Sequence, residues 1–232
     1  MILFLKLLLA HMIGDFLLQP KSWVRAKEEK RIASKYLYFH IMLHFVVAMV
    51  LLWDIDYWKL VLLITISHYL IDLAKIYATP WFENRSIPFF IDQLLHLAVL
   101  YGCSYYGDLL GHSRDLMEQI DWALVTATVF VTFPSAVIME KLLERMSQQI
   151  ELDHESLSNA GKYIGIIERL FVLTFLVLGR WEAIGLLITA KSVFRFNDLK
   201  VSNNRKLTEY ILIGTLLSFG IAIGTGLLYT YL

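Results

Sequence analysis

The sequence predicts an all-α protein, a polytopic bundle of transmembrane helices. Hydrophobic residues make up 57% of the 232 residues, aromatic residues 14% and charged residues only 18%, whereas a soluble domain carries about a quarter charged residues. The apolar residues also come in blocks of roughly 16 to 25, the helix length that crosses a bilayer. Composition and block length therefore agree on a helical membrane protein.

About eight blocks qualify as spans, and the count is seven to eight because the sixth and seventh blocks are short. These two blocks meet at Gly179 and Arg180, and they predict either a tight helical hairpin or a partly re-entrant pair. No Ser/Gly-rich linker interrupts the chain, so we expect a single integral membrane domain over residues 1–232. The predicted spans are residues 2–18, 36–53, 57–77, 88–106, 121–138, 163–179, 181–196 and 207–231.

The Lys and Arg residues of the loops predict the orientation of the spans. Basic residues concentrate in the odd-numbered loops, and cytoplasmic loops are the ones enriched in Lys and Arg. Both termini are therefore expected outside the cytoplasm, in a multi-pass protein of a bacterial inner membrane. The bilayer is the expected partner, and a net charge of zero gives no reason to expect nucleic acid. The first loop alone contributes Lys21, Arg25, Lys27, Lys30, Arg31 and Lys35.

Pairs of ionisable residues four positions apart occur in each of the first four predicted spans, within residues 1–106. Residues at this spacing share one helix face, and ionisable groups inside a membrane are a functional-site hypothesis by default. The order of His and Asp reverses when the helix direction reverses, so all eight side chains fall near the cytoplasmic end. An outer layer holds Asp15, His40, Asp72 and Asp92, and an inner layer holds His11, His44, His68 and His96.

Imidazole and carboxylate groups suit divalent Zn, Mn or Fe, of which Zn is the first expectation. Eight donors exceed the needs of one tetrahedral ion, so one or two ions are expected. Asp15 and His40 are assigned to catalysis, as general base or as groups that orient a ligand. A proton relay and purely structural hydrogen bonds between helices remain alternatives. The expected metal ligands are His11, His44, His68, Asp72, Asp92 and His96.

The C-terminal helices, residues 163–232, carry a second group of charges near the cytoplasmic face. Arg169, Lys191 and Arg195 would hold an anionic substrate group. Ion pairing at the interface, for instance with Glu168, is the alternative. The preceding segment, residues 139–162, mixes charges with apolar residues at helical spacing and is expected to be an amphipathic cytoplasmic segment.

Several segments carry a resemblance to a known family. The segments LLLAHMIGDFLLQPKSWVRAK, HIMLH, SHYLIDLAK and FIDQLLHL resemble an uncharacterised bacterial integral membrane protein family, a domain of unknown function. The segments GKYIGIIERLF, AKSVFRF and TEYILIGTLLSF resemble its C-terminal part. This resemblance implies no activity. The His/Asp steps are also loosely similar to membrane-bound metal-dependent hydrolases, without a residue-by-residue match.

Three functions are compatible with these patterns. The leading hypothesis is an intramembrane metal-dependent hydrolase that acts on an anionic lipid or amphiphile, such as a phosphorylated one, at the cytoplasmic leaflet. The alternatives are a metal-ion or proton-coupled transporter, which needs access from both sides, and a non-catalytic membrane regulator. A homo-oligomer is compatible with each of them.

Overall fold

The computed structural model describes residues 1–109, 119–149, 160–202 and 205–232. All regular secondary structure in these residues is helical, which confirms the all-α prediction. The α-helices are α1 Ile2–Met12, α2 Lys21–Lys30, α3 Lys35–Leu52, α4 Trp58–Ala78, α5 Ser86–Leu109, α6 Trp122–Phe130, α7 Phe133–Leu142, α8 Glu144–Ser147, α9 Ala160–Val177, α10 Trp181–Ser202 and α11 Arg205–Tyr231.

Several helical segments of the structure are long and apolar enough to cross a membrane. Within the described residues five segments meet both criteria, and a sixth does so if the bent pair Ile2–Leu17 and Lys21–Ala33 counts as one span. The prediction of about eight spans is finer than this result and stays a prediction. The five segments are Lys35–Leu52, Ile55–Trp81, Ser86–Asp108, Trp122–Leu142 and Arg205–Tyr231.

The chain packs as two compact units, Met1–Thr126 and Ala127–Leu232. In the first unit α1 contacts α3 and α5, and α4 contacts the same two helices. The four helices therefore form a closed ring around a shared interior. One end of that interior is filled by apolar side chains, which are Leu3, Leu7, Ala10, Ala48, Leu52, Val61 and Leu100.

The first helix changes its geometry at its C-terminal end. After Met12 it continues as a π-helical turn over Ile13–Leu17, a form that is rare and often found at functional sites. Pro20 then starts α2, which bends away by 84°. Trp23 of α2 stacks on Tyr36 of α3, with ring centroids 5.4 Å apart, and this contact holds α2 against the bundle.

The outer faces of the first unit are apolar. Met42, Leu70 and Leu94 are each more than half exposed, while the ring interior contains fully buried charged and imidazole side chains. A water-soluble bundle has the opposite arrangement. The surface thus fits contact with lipid, as expected for membrane helices.

The second unit is built around α9 and α11. Gly226 of α11 lies so close to Leu176 that a Cβ there would come within 2.9 Å of the leucine side chain. Small residues allow such close helix approach in membrane proteins. The core of this unit includes Val172, Leu176, Ile184, Phe219 and Ala222.

A helix break in the second unit is closed by a buried arginine. Between α6 and α7 the helix is interrupted at Val131 and Thr132, and the Thr132 carbonyl already accepts from Ala136 N in the first turn of α7. Arg169 of α9 donates from Nε to Val131 O at 2.7 Å and from Nη2 to Thr132 O at 3.2 Å. It also donates from Nη1 to Ser218 Oγ at 3.1 Å. The guanidinium therefore satisfies the end of one half-helix and joins it to α9 and α11.

Two predictions about organisation stay predictions. The amphipathic segment 139–162 falls partly on residues 150–159, which lie outside the described residues, while its start forms the end of α7 and α8. The single-domain prediction is likewise not decided by the two compact units, since each unit contains segments of bilayer length.

We expect Arg169→Ala to lower the free energy of unfolding by about 1–3 kcal/mol, because it removes the donor to the Val131 carbonyl and the link to Ser218. Arg169→Lys should lose less, since one ammonium replaces part of the donor set. Arg205→Ala is the matched control, because Arg205 is 91% exposed and pairs only with its helix neighbour Glu209. Unfolding by SDS titration in mixed micelles measures all three, and equal losses for Arg169→Ala and Arg205→Ala would contradict the capping role.

Candidate metal centre

The eight predicted residues meet in the interior of the four-helix ring. Seven of them are buried, and the eighth, Asp15, has a side chain that is only 9% accessible. Asp15 comes from the π-helical turn, while the other seven come from α1, α3, α4 and α5. The structure thus brings all eight into one continuous cluster, and the predicted shared depth is also a shared centre.

Asp15 is the group around which the imidazoles gather. Its Oδ1 lies 3.0 Å from His44 Nε2, 3.2 Å from His40 Nε2 and 3.6 Å from His68 Nε2. Its Oδ2 lies 3.7 Å from His11 Nε2 and accepts a hydrogen bond from Gln93 Nε2 at 3.1 Å. Four imidazoles from three helices therefore surround one carboxylate.

A glycine makes this approach possible. Gly14 precedes Asp15 in the π-helical turn, and a Cβ added there would overlap the imidazole ring of His44. Since no ordinary side chain fits in that space, α1 and α3 reach their observed separation only with glycine at this position. The pattern His11-x3-Asp15 thus depends on the residue between them as well as on its spacing.

His68 connects the Asp15 end of the cluster to Asp92. One of its ring nitrogens, Nε2, lies 3.1 Å from His40 Nε2, and the other, Nδ1, lies 3.0 Å from His96 Nδ1. His96 in turn places Nε2 3.3 Å from Asp92 Oδ1. A carboxylate, an imidazole and a second imidazole thus form a row, the type of outer contact that orients a ligating histidine.

Buried His/Asp groups of the described residues could hold a metal ion. In each such group, one potential ligand atom per residue lies within 4.8 Å of the others. Asp15, predicted as a catalytic residue, belongs to the largest group. The groups are His11/Asp15/His44/His68, His40/His68/Asp72 and Asp72/Asp92/His96.

Two lysines that were not predicted as site residues also belong to the cluster. Lys27 of α2 is 4% exposed and donates from Nζ to Asp72 Oδ2 at 2.6 Å. Lys75 of α4 donates to Asp92 Oδ2 at 2.8 Å and to Asp72 Oδ1 at 3.3 Å. Asp72 and Asp92, both predicted as metal ligands, are therefore already paired with ammonium groups. The assignment of ligand roles stays a prediction, but the geometry sets Asp15 apart from these two carboxylates.

The sequence contained a signal for each lysine. Lys75 follows Asp72 by three residues, which is ion-pair spacing on a helix. Lys27 shares a face with Trp23 and Val24 at spacings of four and three, and that face of α2 is the one turned inward. The positive-inside rule reports only on which side of the membrane a Lys lies, so it does not predict that these side chains enter the cluster.

A cavity adjoins the histidines on the side away from the lysines. It has a volume of about 20 Å³, enough for roughly one water molecule. The remaining walls are mostly apolar, and include Leu7, Ala48 and Ile64. The polar part of its lining consists of Thr65 and four imidazoles: His11, His44, His68 and His96.

The predicted anion-binding residues lie in the second unit. Arg169 is engaged by backbone carbonyls and Ser218, and Lys191 donates to Glu168. Arg195 lies in α10, but its side chain falls outside the described part of the structure. Lys191 thus forms the ion pair of the alternative, whereas Arg169 is held by carbonyl and hydroxyl groups, and the assignment of an anion-binding role to these residues stays a prediction.

Comparison with known families agrees with the first unit. The profile of a family described as "Protein of unknown function (DUF3307)" matches residues 3–124. The chain belongs to this family. The DUF3307 match contains all eight His and Asp residues and both lysines, so the candidate centre lies wholly within the family's domain. No curated protein and no solved structure matches the chain.

We expect Gly14→Ala to destabilise the protein by about 1–3 kcal/mol, because the new methyl group forces His44 out of the cluster. It should also reduce any stabilisation by added zinc. Gly102→Ala in α5 is the control, since a Cβ there meets nothing within 4 Å. Melting temperatures with and without zinc test this, and an unchanged zinc response in Gly14→Ala would contradict the role given to His44.

Proposed function

We propose that this DUF3307 protein is a multi-pass inner-membrane protein whose first unit holds a divalent metal ion, and that this centre hydrolyses an anionic amphiphile at the cytoplasmic leaflet. The observation that carries the proposal is the convergence of His40, His44 and His68 on one oxygen of Asp15. Zinc is the first expectation for this donor set, with manganese or iron as alternatives.

The separations between donor atoms support an ion of this size. Zinc binds imidazole nitrogen at about 2.0–2.1 Å, so two donors of a tetrahedral site lie roughly 3.3 Å apart. The distances from Asp15 Oδ1 to His40, His44 and His68 are 3.2, 3.0 and 3.6 Å, and His40 and His68 are 3.1 Å apart. Small shifts of the rings would thus suffice to admit an ion, with Asp15 as a ligand.

Charge balance also supports a bound cation. Lys27 and Lys75 pair with Asp72 and Asp92, whereas the described contacts of Asp15 are to imidazoles and an amide. A buried carboxylate without a cationic partner is strongly unfavourable. A divalent ion among the histidines would supply the missing charge where the structure has room for it.

The cavity supports an open coordination position. A catalytic metal site keeps one position for water, and the bound metal lowers the pKa of that water to yield a nucleophile. Four of the imidazoles line a space of about one water. His96 and Asp92, in a row behind His68, are placed to receive a proton from the centre.

The lysine side of the cluster favours an anionic substrate. The Lys75 side chain is 27% accessible, in contrast to the 2% and 1% of its partners Asp72 and Asp92. It is thus a cationic group that reaches both the centre and the outside. A lipid phosphate or other anionic head group would contact it there, while the acyl chains remain among the apolar outer faces.

The apolar end of the ring weighs against a transport path. Leu7, Val61 and Leu100 are each at most 3% exposed and pack directly beyond the cavity. A transported ion would need polar groups along that route. A site closed on one side fits catalysis from a single leaflet.

We further propose the predicted topology of eight spans with both termini outside. Each predicted span coincides with a helix or a broken helix of the structure, including α9 and α10, which turn sharply at Gly179. Gly179 has a φ of +67°, a conformation in which glycine is favoured. Lys27, which pairs with Asp72 of the centre, then lies on the cytoplasmic side together with Lys30 and Arg31.

The metal centre predicts about one equivalent of tightly held divalent metal in protein purified without chelator. His68→Ala and Asp15→Asn should retain less than about a tenth of it, because each removes a central donor. Ser67→Ala is the matched control, since Ser67 is half-buried beside His68 and its described hydrogen bond goes to Leu63 O of its own helix. Elemental analysis of the protein in detergent measures the metal content. The proposal would be contradicted if the wild type contained no metal, or if both site variants were fully loaded.

The hydrolase assignment is tested separately on loaded protein. Phosphate-ester and acyl-ester amphiphiles in mixed micelles should be cleaved only with metal present, and Asp15→Asn, which loses the metal, should lose activity by at least about 100-fold. Uptake of metal into proteoliposomes without any turnover would replace the hydrolase by the transporter.

The topology predicts different labelling of two positions when the native Cys103 is first replaced by serine. Lys30→Cys should react with a membrane-impermeant maleimide only after the cells are opened, while Lys59→Cys should react in cells whose inner membrane is intact. Both side chains are exposed, so access depends on sidedness. The opposite pattern, quantified by mass shift, would invert the proposed orientation.

A further inference from the structure

Lys75 occupies an unusual place between two carboxylates. Its Nζ lies 2.8 Å from Asp92 Oδ2 and 3.3 Å from Asp72 Oδ1, and both aspartates are almost completely buried. An ammonium bridging two carboxylates in this way has the position that a second metal ion takes in two-metal sites, where one ion is shared between acidic ligands.

The donors around this position form a complete set. Asp72, Asp92 and His96 each offer a ligand atom within 4.8 Å of the others. Two of these side chains also have buried atoms without a hydrogen-bond partner, Asp92 Oδ1 and His96 Nε2. These atoms lie 3.3 Å apart, about the separation of two donors on one tetrahedral zinc ion.

Such unpaired atoms need an explanation, because buried polar atoms in native proteins are almost always satisfied. A carboxylate oxygen and an imidazole nitrogen that lie side by side without a hydrogen bond are both suited to ligate one cation. The neighbouring oxygens of the same carboxylates are held by Lys75 and Lys27. The ammonium group of Lys75 therefore binds Asp92 through Oδ2, while Asp92 Oδ1 and His96 Nε2 remain available as metal ligands.

We propose that the Lys75 ammonium is a built-in second cation, which fills a divalent-metal site formed by Asp72, Asp92 and His96 and so keeps the centre mononuclear. This inference rests on the proposed metal centre at Asp15. It explains why the eight-residue cluster has more donors than one ion needs, and it assigns Lys75 the charge that a second ion would supply.

Charge arithmetic points the same way. Three buried carboxylates, Asp15, Asp72 and Asp92, face two buried or partly buried ammonium groups, so the cluster has one uncompensated negative charge. One divalent ion brings the sum to +1. A second divalent ion with both lysines present would bring it to +3 in an apolar interior, which is strongly unfavourable.

The test is metal stoichiometry in the full-length protein, with zinc as the probe. Wild type and variants are loaded with excess zinc, dialysed against zinc-free buffer and analysed for zinc and protein. Wild type should retain one equivalent and Lys75→Gln two. Lys75→Arg keeps the charge and should retain one. Lys59→Gln removes an exposed lysine at the opposite end of the same helix, and it too should retain one.

A double variant locates the second ion. Lys75→Gln with His96→Ala should return to one equivalent, since His96 is a donor of the second site, whereas at the first site it only orients His68. Lys75→Met, which keeps the side-chain length, replaces Lys75→Gln if the latter does not fold. Failure of both variants to fold even with zinc present would overturn the inference, because the ion must then be unable to replace the ammonium.

The outcomes separate the inference from the proposed function. One equivalent in both wild type and Lys75→Gln overturns the inference and leaves the metal centre intact. Two equivalents in wild type also overturn it, since the second site would then bind metal beside Lys75. Wild type without zinc removes the metal centre itself, and the inference with it.

Discussion

The burial of three carboxylates inside an apolar ring of helices is the constraint on which the first unit depends. Each carboxylate must find a partner inside the protein, because neither lipid nor an apolar core supplies one. Asp15 finds imidazoles and the amide of Gln93, and Asp72 and Asp92 find lysines. The bend after Pro20 brings Lys27 to Asp72, and the glycine at position 14 lets α1 approach His44.

Much of this centre could be predicted from the sequence. Four-residue steps fix which residues share a helix face, and the loop charges fix which end of each helix lies at the same depth. Those two rules were enough to collect the eight His and Asp residues, and the structure shows them in contact. Their relative roles could not be predicted in this way. Asp15, Asp72 and Asp92 lie at a similar level along the helix bundle. Only the lateral packing of the helices places Asp15 among histidines and the other two beside lysines.

The parts that sequence reasoning missed have a shared cause. Lys27 and Arg169 are cations with specific buried partners, but a Lys or Arg at the end of an apolar segment predicts a charge at the membrane interface. Lys27 was counted as a loop residue because the short helix α2 carries several other basic residues on its exposed side. The position of Arg169 near the end of a predicted span suggests a shared site with Lys191. In the structure its partners are instead carbonyl groups at the break between α6 and α7. Neither the π-helical turn nor that break leaves a periodic mark in the sequence.

The long chain separation between partners in the centre bears on how the protein is made. Asp15 is 29 residues before His44 and 78 residues before Gln93, and Lys27 is 45 residues before Asp72. During synthesis the first helix therefore emerges with an aspartate whose partners have not been translated, and a lone aspartate in a membrane helix costs about 2.5–3.5 kcal/mol on insertion. For a first helix that spans the membrane as proposed, α3, α4 and α5 supply these partners later in synthesis. The centre would then couple the assembly of the four ring helices.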